Sequence, residues 1–313
     1  MSISKEIERL QQAKKDIGDA IVRKGGSVSG TIDTYAKSIM SLGDVSFRTA
    51  IDIVNKSDAQ NVDLTMISPK NETSLKYLFY GNTNLININV SNWDTSNITI
   101  AHGVFAGCSN LNSLDLSSWD TSNIVSFYNF LGGCESLQSI DISHFNTTST
   151  TNTSWMFTNC KQCKEIDVSC LSSAKITEMK GMFIGCSSLT HIDISMFDTS
   201  KLLNIEDLLS YCGYLDYVDI SHLDLSHVVN ITRLFTSSYI DEIRCDGLQL
   251  PNIDMSNIGL NSSKKLTVDN IVGLLNSLPQ SDKGYSFQIG SDNIAKLSDE
   301  QKAIATDKGW TLI

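Results

Sequence analysis

The chain has 313 residues, 41% hydrophobic and 19% charged, with 24 basic and 35 acidic side chains and a net charge of -11. The apolar fraction is enough for a buried core and excludes wholesale disorder, while the acidic balance excludes a general nucleic-acid binder, which needs basic surface against phosphates. No run of about 18 apolar residues occurs, so no membrane span is expected.

The opening, Met1-Ser2-Ile3-Ser4-Lys5-Glu6, has no apolar core of the kind a secretory signal carries. Residues 3–24 read as an amphipathic helix. Ile3, Ile7, Leu10, Ile17 and Ile21 fall at alternating spacings of three and four, with Lys14 in the missing place. Gly25-Gly26 stops it. A second short helix around Thr31–Leu42 carries Ile32, Tyr35, Ala36 and Ile39 on one side. Two uses stand for these apolar rows: a dimer or trimer seam, or a helical hairpin packed on the adjoining part of the chain. Residues 1–44 are thus a helical attachment or oligomerisation module, and 45–75 the N-terminal cap of the next part.

The charge is uneven. Residues 76–250 hold 8 basic and 18 acidic side chains, and no Lys or Arg lies between Tyr77 and Cys160. This acidic body is periodic. Phe79, Phe105, Leu131, Phe157, Phe183, Leu209 and Phe235 are each 26 residues apart. Cys108, Cys134, Cys160, Cys186 and Cys212 keep the same step, as do Ile88, Leu114, Ile140, Ile166, Ile192 and Val218. Trp93, Trp119, Phe145, Leu171, Phe197 and Leu223 close each unit. The last copy slips, with Ile243 lying 25 residues after Val218.

Such a period predicts stacked units, because one unit cannot bury its own apolar side. Leu114 in, Asp115 out and Leu116 in reads as a short strand. The Asp-Thr-Ser-Asn run after each aromatic is turn chemistry. The expected fold class is an α/β repeat: a leucine-rich-repeat solenoid of about seven 26-residue coils over 76–250, with the N-terminal helical module and a small C-terminal α/β cap over 251–313.

Two resemblances bear on this. Leu111-x-x-Leu114-x-Leu116 resembles the leucine-rich repeat. Met182-Phe183-Ile184-Gly185-Cys186-Ser187-Ser188-Leu189 and Asp115-Leu116-Ser117-Ser118-Trp119-Asp120-Thr121-Ser122 resemble its BspA-like subclass of bacterial surface repeats. Near the start, Lys14, Ile17, Ala20, Ile21, Lys24, Gly25, Tyr35, Ala36 and Ile39 are similar to a module that opens many phage tail and fibre proteins. The second resemblance implies attachment to a virion, which needs no export signal.

At the other end, Thr267–Leu278 reads as a helix and Tyr285–Ile289 as a strand. A last helix starts at a Ser298 or Asp299 cap, Gly309 stops it, and Trp310–Ile313 returns as a strand. This ending resembles that of similar BspA-like proteins of gut bacteria and their phages. Its expected role is to cover the last coil, where bare strands invite edge pairing.

The chemistry is sparse. Five of the 8 Cys share one repeat position and read as small buried hydrophobes. Cys160-x-x-Cys163 is the one close pair and lies at core positions, so no metal site is expected. No Ser-His-Asp grouping, phosphate loop or dinucleotide fingerprint is present; no catalytic residue and no cofactor is expected. Asp115, Asp141, Asp167, Asp193 and Asp219 share one outward strand position. They are the candidate ligand-contact face, for cations, basic protein or sugar hydroxyls, beside the plainer reading of a solvated anti-aggregation row.

The function the resemblances imply is a non-enzymatic phage virion appendage, of tail or head fibre type, assembled in the host cytoplasm. It would bind a host surface protein or glycan, hold other virion proteins through its N-terminal helices, and gain avidity as a homo-oligomer, a trimer or dimer. Nucleic acid and membrane are not expected partners. Two alternatives remain: a BspA-like adhesin at the bacterial cell surface, or a purely structural virion protein without a ligand.

Overall fold

The structure, a computed structural model, describes residues 46–313. The expected N-terminal helices, with Ile3, Ile7, Leu10, Ile17 and Ile21, lie outside the described residues.

The described part opens on helix α1, Phe47–Lys56. Ser46 caps it by accepting the backbone N–H of Thr49 at 3.3 Å. Ala50, Ile51 and Val54 are buried, and the Phe47 ring meets Trp93 edge to face with centroids 5.2 Å apart. Arg48 ties the same helix to Glu72 at 2.7 Å.

Strands then recur at the period of the sequence. β1 (Asn61–Asp63), β2 (Asn87–Asn89) and β3 (Ser113–Leu114) form one parallel sheet in that order. Val62 pairs with Ile88, and Ile88 with Leu114. β4 (His191–Asp193), β5 (Gly213–Asp219) and β6 (Ser238–Arg244) form a second parallel sheet. Here Ile192 pairs with Val218, and Val218 with Ile243, so the sequence slip is absorbed between β5 and β6.

A second line of contact continues where the strands do not. Single parallel bridges join Ser74, Ile100, Ser126, Asn152, Glu178, Asn204 and Asn230 in turn. Just after it, alternate N–H groups reach the next repeat: Tyr77 to the carbonyl of His102 at 2.7 Å, Phe79 to Val104 at 2.8 Å, Gly81 to Ala106 at 2.7 Å. The same bonds recur as far as Tyr211 to Thr236 at 2.8 Å.

The expected α/β leucine-rich-repeat solenoid is corrected by these elements. The described chain is made mostly of small parallel sheets, with few helices, and the α-helices lie only at its two ends. The reason is local. Tyr77, Gly103, Asn129, Trp155, Gly181, Asp207 and Arg233 share one repeat position, and all have φ between 54° and 58°. Four residues on, Gly81, Gly107, Gly133, Asn159, Gly185, Tyr211 and Ser237 are left-handed as well. A left-handed residue costs a non-glycine about 1–2 kcal/mol and ends any right-handed run. Two of them per repeat leave tight turns, such as Leu78 N–H to Leu75 and Asn82 N–H to Phe79, where an α/β repeat would place a helix.

The core is a pile of like side chains. Phe79, Phe105, Phe157, Phe183 and Phe235 are all buried, and Phe79 stacks on Phe105 with centroids 5.5 Å apart. Trp93 stacks on Trp119 at 6.0 Å. Each such ring contributes about 1.5–3 kcal/mol by leaving water.

The C-terminal segment covers the last repeat. Helix α2 (Val268–Asn276) starts at a capping box of Thr267 and Asn270 and buries Ile271, Leu274 and Leu275. β7 (Ser286–Phe287) pairs in parallel with β8 (Thr311–Leu312). Between them lie the short helix α3 (Ser291–Ile294) and α4 (Asp299–Thr306), the latter boxed by Ser298 and Gln301. Met255 bridges to Phe287, and buried Trp310 donates its indole N–H to the carbonyl of Pro279 at 2.7 Å. Among the described residues no helix is long and apolar enough to cross a membrane.

Candidate functional site

The aspartate row is brought together as a column. Asp193 and Asp219 are direct partners across β4 and β5, and Asp219 is followed across β5 and β6 by Arg244. Asp115, Asp141, Asp167 and Asp193 are exposed, whereas Asp219 is buried.

Each carboxylate has local work. One oxygen accepts the N–H of the serine two residues on: Asp115 from Ser117 at 2.9 Å, Asp141 from Ser143 at 3.0 Å, Asp167 from Ser169 at 2.9 Å, Asp193 from Ser195 at 2.9 Å and Asp219 from Ser221 at 2.9 Å. These are Asx turns that end each strand. Asn89 makes the same turn with Ser91 at 3.1 Å, so the turn needs an acceptor and not a charge. A second set repeats it after the aromatic position, with Asp94, Asp120, Asn146, Asp198 and Asp224 capping Ser96, Ser122, Thr148, Ser200 and Ser226. Asp115, Asp141, Asp167 and Asp193 therefore face solvent with their second oxygens, whereas that of Asp219 accepts the Tyr217 hydroxyl.

The electrostatics follow from those bonds. Hydrogen bonds from the Ser117 hydroxyl and N–H hold Asp115 below the usual carboxylate range, and the Ser143 N–H and hydroxyl do the same for Asp141. For Asp219, burial pushes upward, but bonds from Ser221 and from the Tyr217 hydroxyl at 2.6 Å outweigh it and hold the group low. Burial, then that bond to Asp219, pushes Tyr217 up to about 12. The Arg244 guanidinium lies 4.7 Å from the Tyr217 ring and closes the acidic column with a cation.

The cysteines form a ladder. The thiols of Cys108, Cys134, Cys160, Cys186 and Cys212 donate to the carbonyls of Phe79, Phe105, Leu131, Phe157 and Phe183, at 3.1 to 3.4 Å. Cys163 donates to Leu137 at 3.0 Å. Burial pushes Cys108 and Cys212 up to about 12, so they stay protonated near neutrality. Among the described residues no group of three or more His, Cys, Asp and Glu side chains is placed to hold a metal ion.

Sequence reasoning missed a second surface feature. Tyr77, His102, Tyr128 and Trp155 lie on successive turns just before the column residues Phe79, Phe105, Leu131 and Phe157, and Tyr80 lies beside Tyr77. Tyr77 and Tyr80 meet edge to face with centroids 5.4 Å apart, His102 is 5.5 Å from Tyr128, and Tyr128 is 5.2 Å from Trp155. Lys76 stands 5.2 Å from the Tyr77 ring and Lys180 5.7 Å from the Trp155 ring. Burial, then the charge of Lys76, lowers His102 and leaves it neutral near pH 7. The available signal was Tyr77 and Trp155, each followed one repeat later by a glycine, Gly103 and Gly181.

Beyond the stripe, Lys180 pairs with Glu206 at 2.6 Å, and Arg233 bonds both Glu206 and Asp207. Farther along, exposed Tyr214 and Tyr239 stack with centroids 4.8 Å apart.

Residues 73–169 and 161–244 match the family described as "Mycoplasma protein of unknown function, DUF285". The two matches overlap at 161–169 and together cover most of the periodic part of the chain. No curated protein matches it.

Proposed function

The chain belongs to the family of Mycoplasma proteins of unknown function, and on that premise we propose that it is a non-enzymatic virion appendage, of tail or head fibre type, that binds molecules of a host cell surface. One observation carries this reading. The chain presents the same outward groups turn after turn, at a fixed parallel register, so a repeated ligand meets a repeated surface. Contacts that are weak singly then add through effective concentration. Oligomerisation through Ile3, Ile7, Leu10, Ile17 and Ile21 would multiply the effect, and host surface protein or glycan is the partner class.

A BspA-like adhesin at a bacterial cell surface is the second reading, favoured by the bacterial description of the matched family. Portal, capsid and tail genes beside this gene favour the virion; an export signal in its transcript favours the adhesin. A structural virion protein without a ligand is the outcome if no surface is bound.

The test is attachment of the purified full chain to host cells, by flow cytometry. Asp115, Asp141, Asp167 and Asp193 are changed together to Asn, which keeps the turns as Asn89 does. Attachment by the unchanged chain supports the reading. Its loss in the Asn variant places the contact on the aspartate column. No attachment by the unchanged chain overturns surface binding.

A further inference from the structure

The aromatic stripe is built at odds with its backbone. Tyr77 and Trp155 hold left-handed φ values of 56° and 58°, where Gly103 and Gly181 stand in the turns next along the stack. Bulky residues at such angles are rare, and they gather where a surface is used. The glycines also make room for the rings. A Cβ on Gly103 would come within 2.5 Å of the Tyr77 ring, and one on Gly181 within 2.2 Å of Trp155. Each ring thus leans over the next turn, with Tyr77 44% exposed and Trp155 half-buried.

We propose that Tyr77, Tyr80, His102, Tyr128 and Trp155, flanked by Lys76 and Lys180, form a binding strip for a chain of pyranose sugars. The inference rests on the reading of the protein as a surface binder and names the ligand class and the residues. Aromatic rings offer large rigid faces with polar edges, which suits a sugar whose C–H face is apolar and whose rim is hydroxyl. The tyrosine hydroxyls here are free to take part: among the described residues only Tyr217 donates its hydroxyl within the chain. The rings are strung along the stack, one turn to the next, over about 15 Å for three turns, which matches a short oligosaccharide laid lengthwise. A protein partner would call instead for a compact, water-excluded centre. Here the strip is narrow and edged by polar groups, with Lys76 beside Tyr77 and Lys180 beside Trp155. Lys76 offers a cation to an acidic sugar while Lys180 is paired with Glu206, so the test carries both an acidic sugar and neutral ones.

The full chain is titrated with cellohexaose, maltohexaose, chitohexaose and a hyaluronan hexasaccharide, by calorimetry and by tryptophan fluorescence. Trp93, Trp119 and Trp310 are buried, so a change in emission or acrylamide quenching reports on Trp155. Binding by at least one hexasaccharide is expected, weakened tenfold or more in Trp155→Gly and in Tyr128→Ala and unchanged in Asp282→Asn, at an exposed residue of the C-terminal segment. Glycine suits the backbone at 155, as Gly181 does one turn on, and an unchanged urea midpoint confirms folding. If none of the four binds at millimolar concentration, or if Trp155→Gly binds as the native chain does, the proposal is overturned. Cell attachment that persists in Trp155→Gly overturns the strip but leaves surface binding standing; loss of attachment by the native chain removes both.

Discussion

The thiol of Cys134 donates to the carbonyl of Phe105, 3.2 Å away in the preceding turn, and that carbonyl also accepts the N–H of Cys108 at 3.0 Å. Both acceptor sites of a buried oxygen are therefore filled. Ser238 occupies the equivalent place at the end of the column and donates its hydroxyl to Leu209.

Cys134→Ala is expected to cost about 1–2 kcal/mol, from a small cavity and one lost bond. Cys134→Ser keeps a donor at the place where Ser238 has one, and should cost less. Urea unfolding monitored by fluorescence ranks the two. If alanine proves as stable as serine, the thiol acts by volume alone.

Trp93 and Trp119 stack on each other but differ at the indole nitrogen. Trp93 donates to the carbonyl of Leu64 at 3.2 Å, whereas the buried Trp119 nitrogen has no partner among the described residues. Phe145 and Phe197 fill the same repeat position without a donor. Trp119→Phe should therefore change stability by less than about 1 kcal/mol, as loss of volume is offset by removal of an unpaired donor. Trp93→Phe should cost more. Equal costs in thermal unfolding would show that the bond to Leu64 contributes nothing.

The contrast shows what the sequence carries. The 26-residue step, the buried Phe column and the one-residue slip at Ile243 were legible, because side chains of one type mark a repeated environment. The boxes at Thr267 and Ser298 follow from local side-chain bonds, and the sequence suggests the Ser298 cap as one of two choices. The fold class was misread. Backbone angle is invisible where Tyr, Asn, Trp, Asp and Arg stand in for glycine, as at Tyr77, Asn129, Trp155, Asp207 and Arg233. Those left-handed residues exclude the helix that a leucine-rich pattern suggests. The aspartate row was legible as a row, but its turn role depends on a bond to the serine two residues on, which spacing alone does not reveal. The aromatic stripe was missed because its rings come from three repeat positions, that of Tyr77 and Trp155, that of His102 and Tyr128, and that of Tyr80, so no single column shows them.

Gly181 should be coupled to Trp155. An alanine there meets two penalties: its φ of 58° and a Cβ within 2.2 Å of the indole. Gly181→Ala is expected to cost about 1–3 kcal/mol. Removing the indole leaves only the backbone penalty, so Gly181→Ala in the Trp155→Gly background should cost measurably less. A double-mutant cycle by urea unfolding reads the difference. Strict additivity would mean that the indole moves aside freely.

Acid should loosen the Asx turns. Serine hydroxyl and N–H groups hold Asp115, Asp120, Asp198 and Asp224 below the ordinary carboxylate range, and the N–H and hydroxyl of Ser143 do so for Asp141. The unfolded chain has these groups near about 3.9. A group whose folded value is depressed binds protons more readily when unfolded. Its contribution is fully present above the unfolded value and disappears as pH falls through the folded one. The urea midpoint should thus be flat from about pH 7 down to about pH 5, then fall below about pH 4. Changing Asp115, Asp141 and Asp198 to Asn keeps the acceptor, as Asn89 and Asn146 show, and removes three of the titrating groups. The acid limb of the triple variant should therefore be shallower. Near pH 7 its midpoint should lie somewhat below that of the native chain, because a neutral Asn keeps the turn but lacks the charge that strengthens the bonds from serine. An acid limb as steep as that of the native chain would place the acid sensitivity elsewhere in the fold.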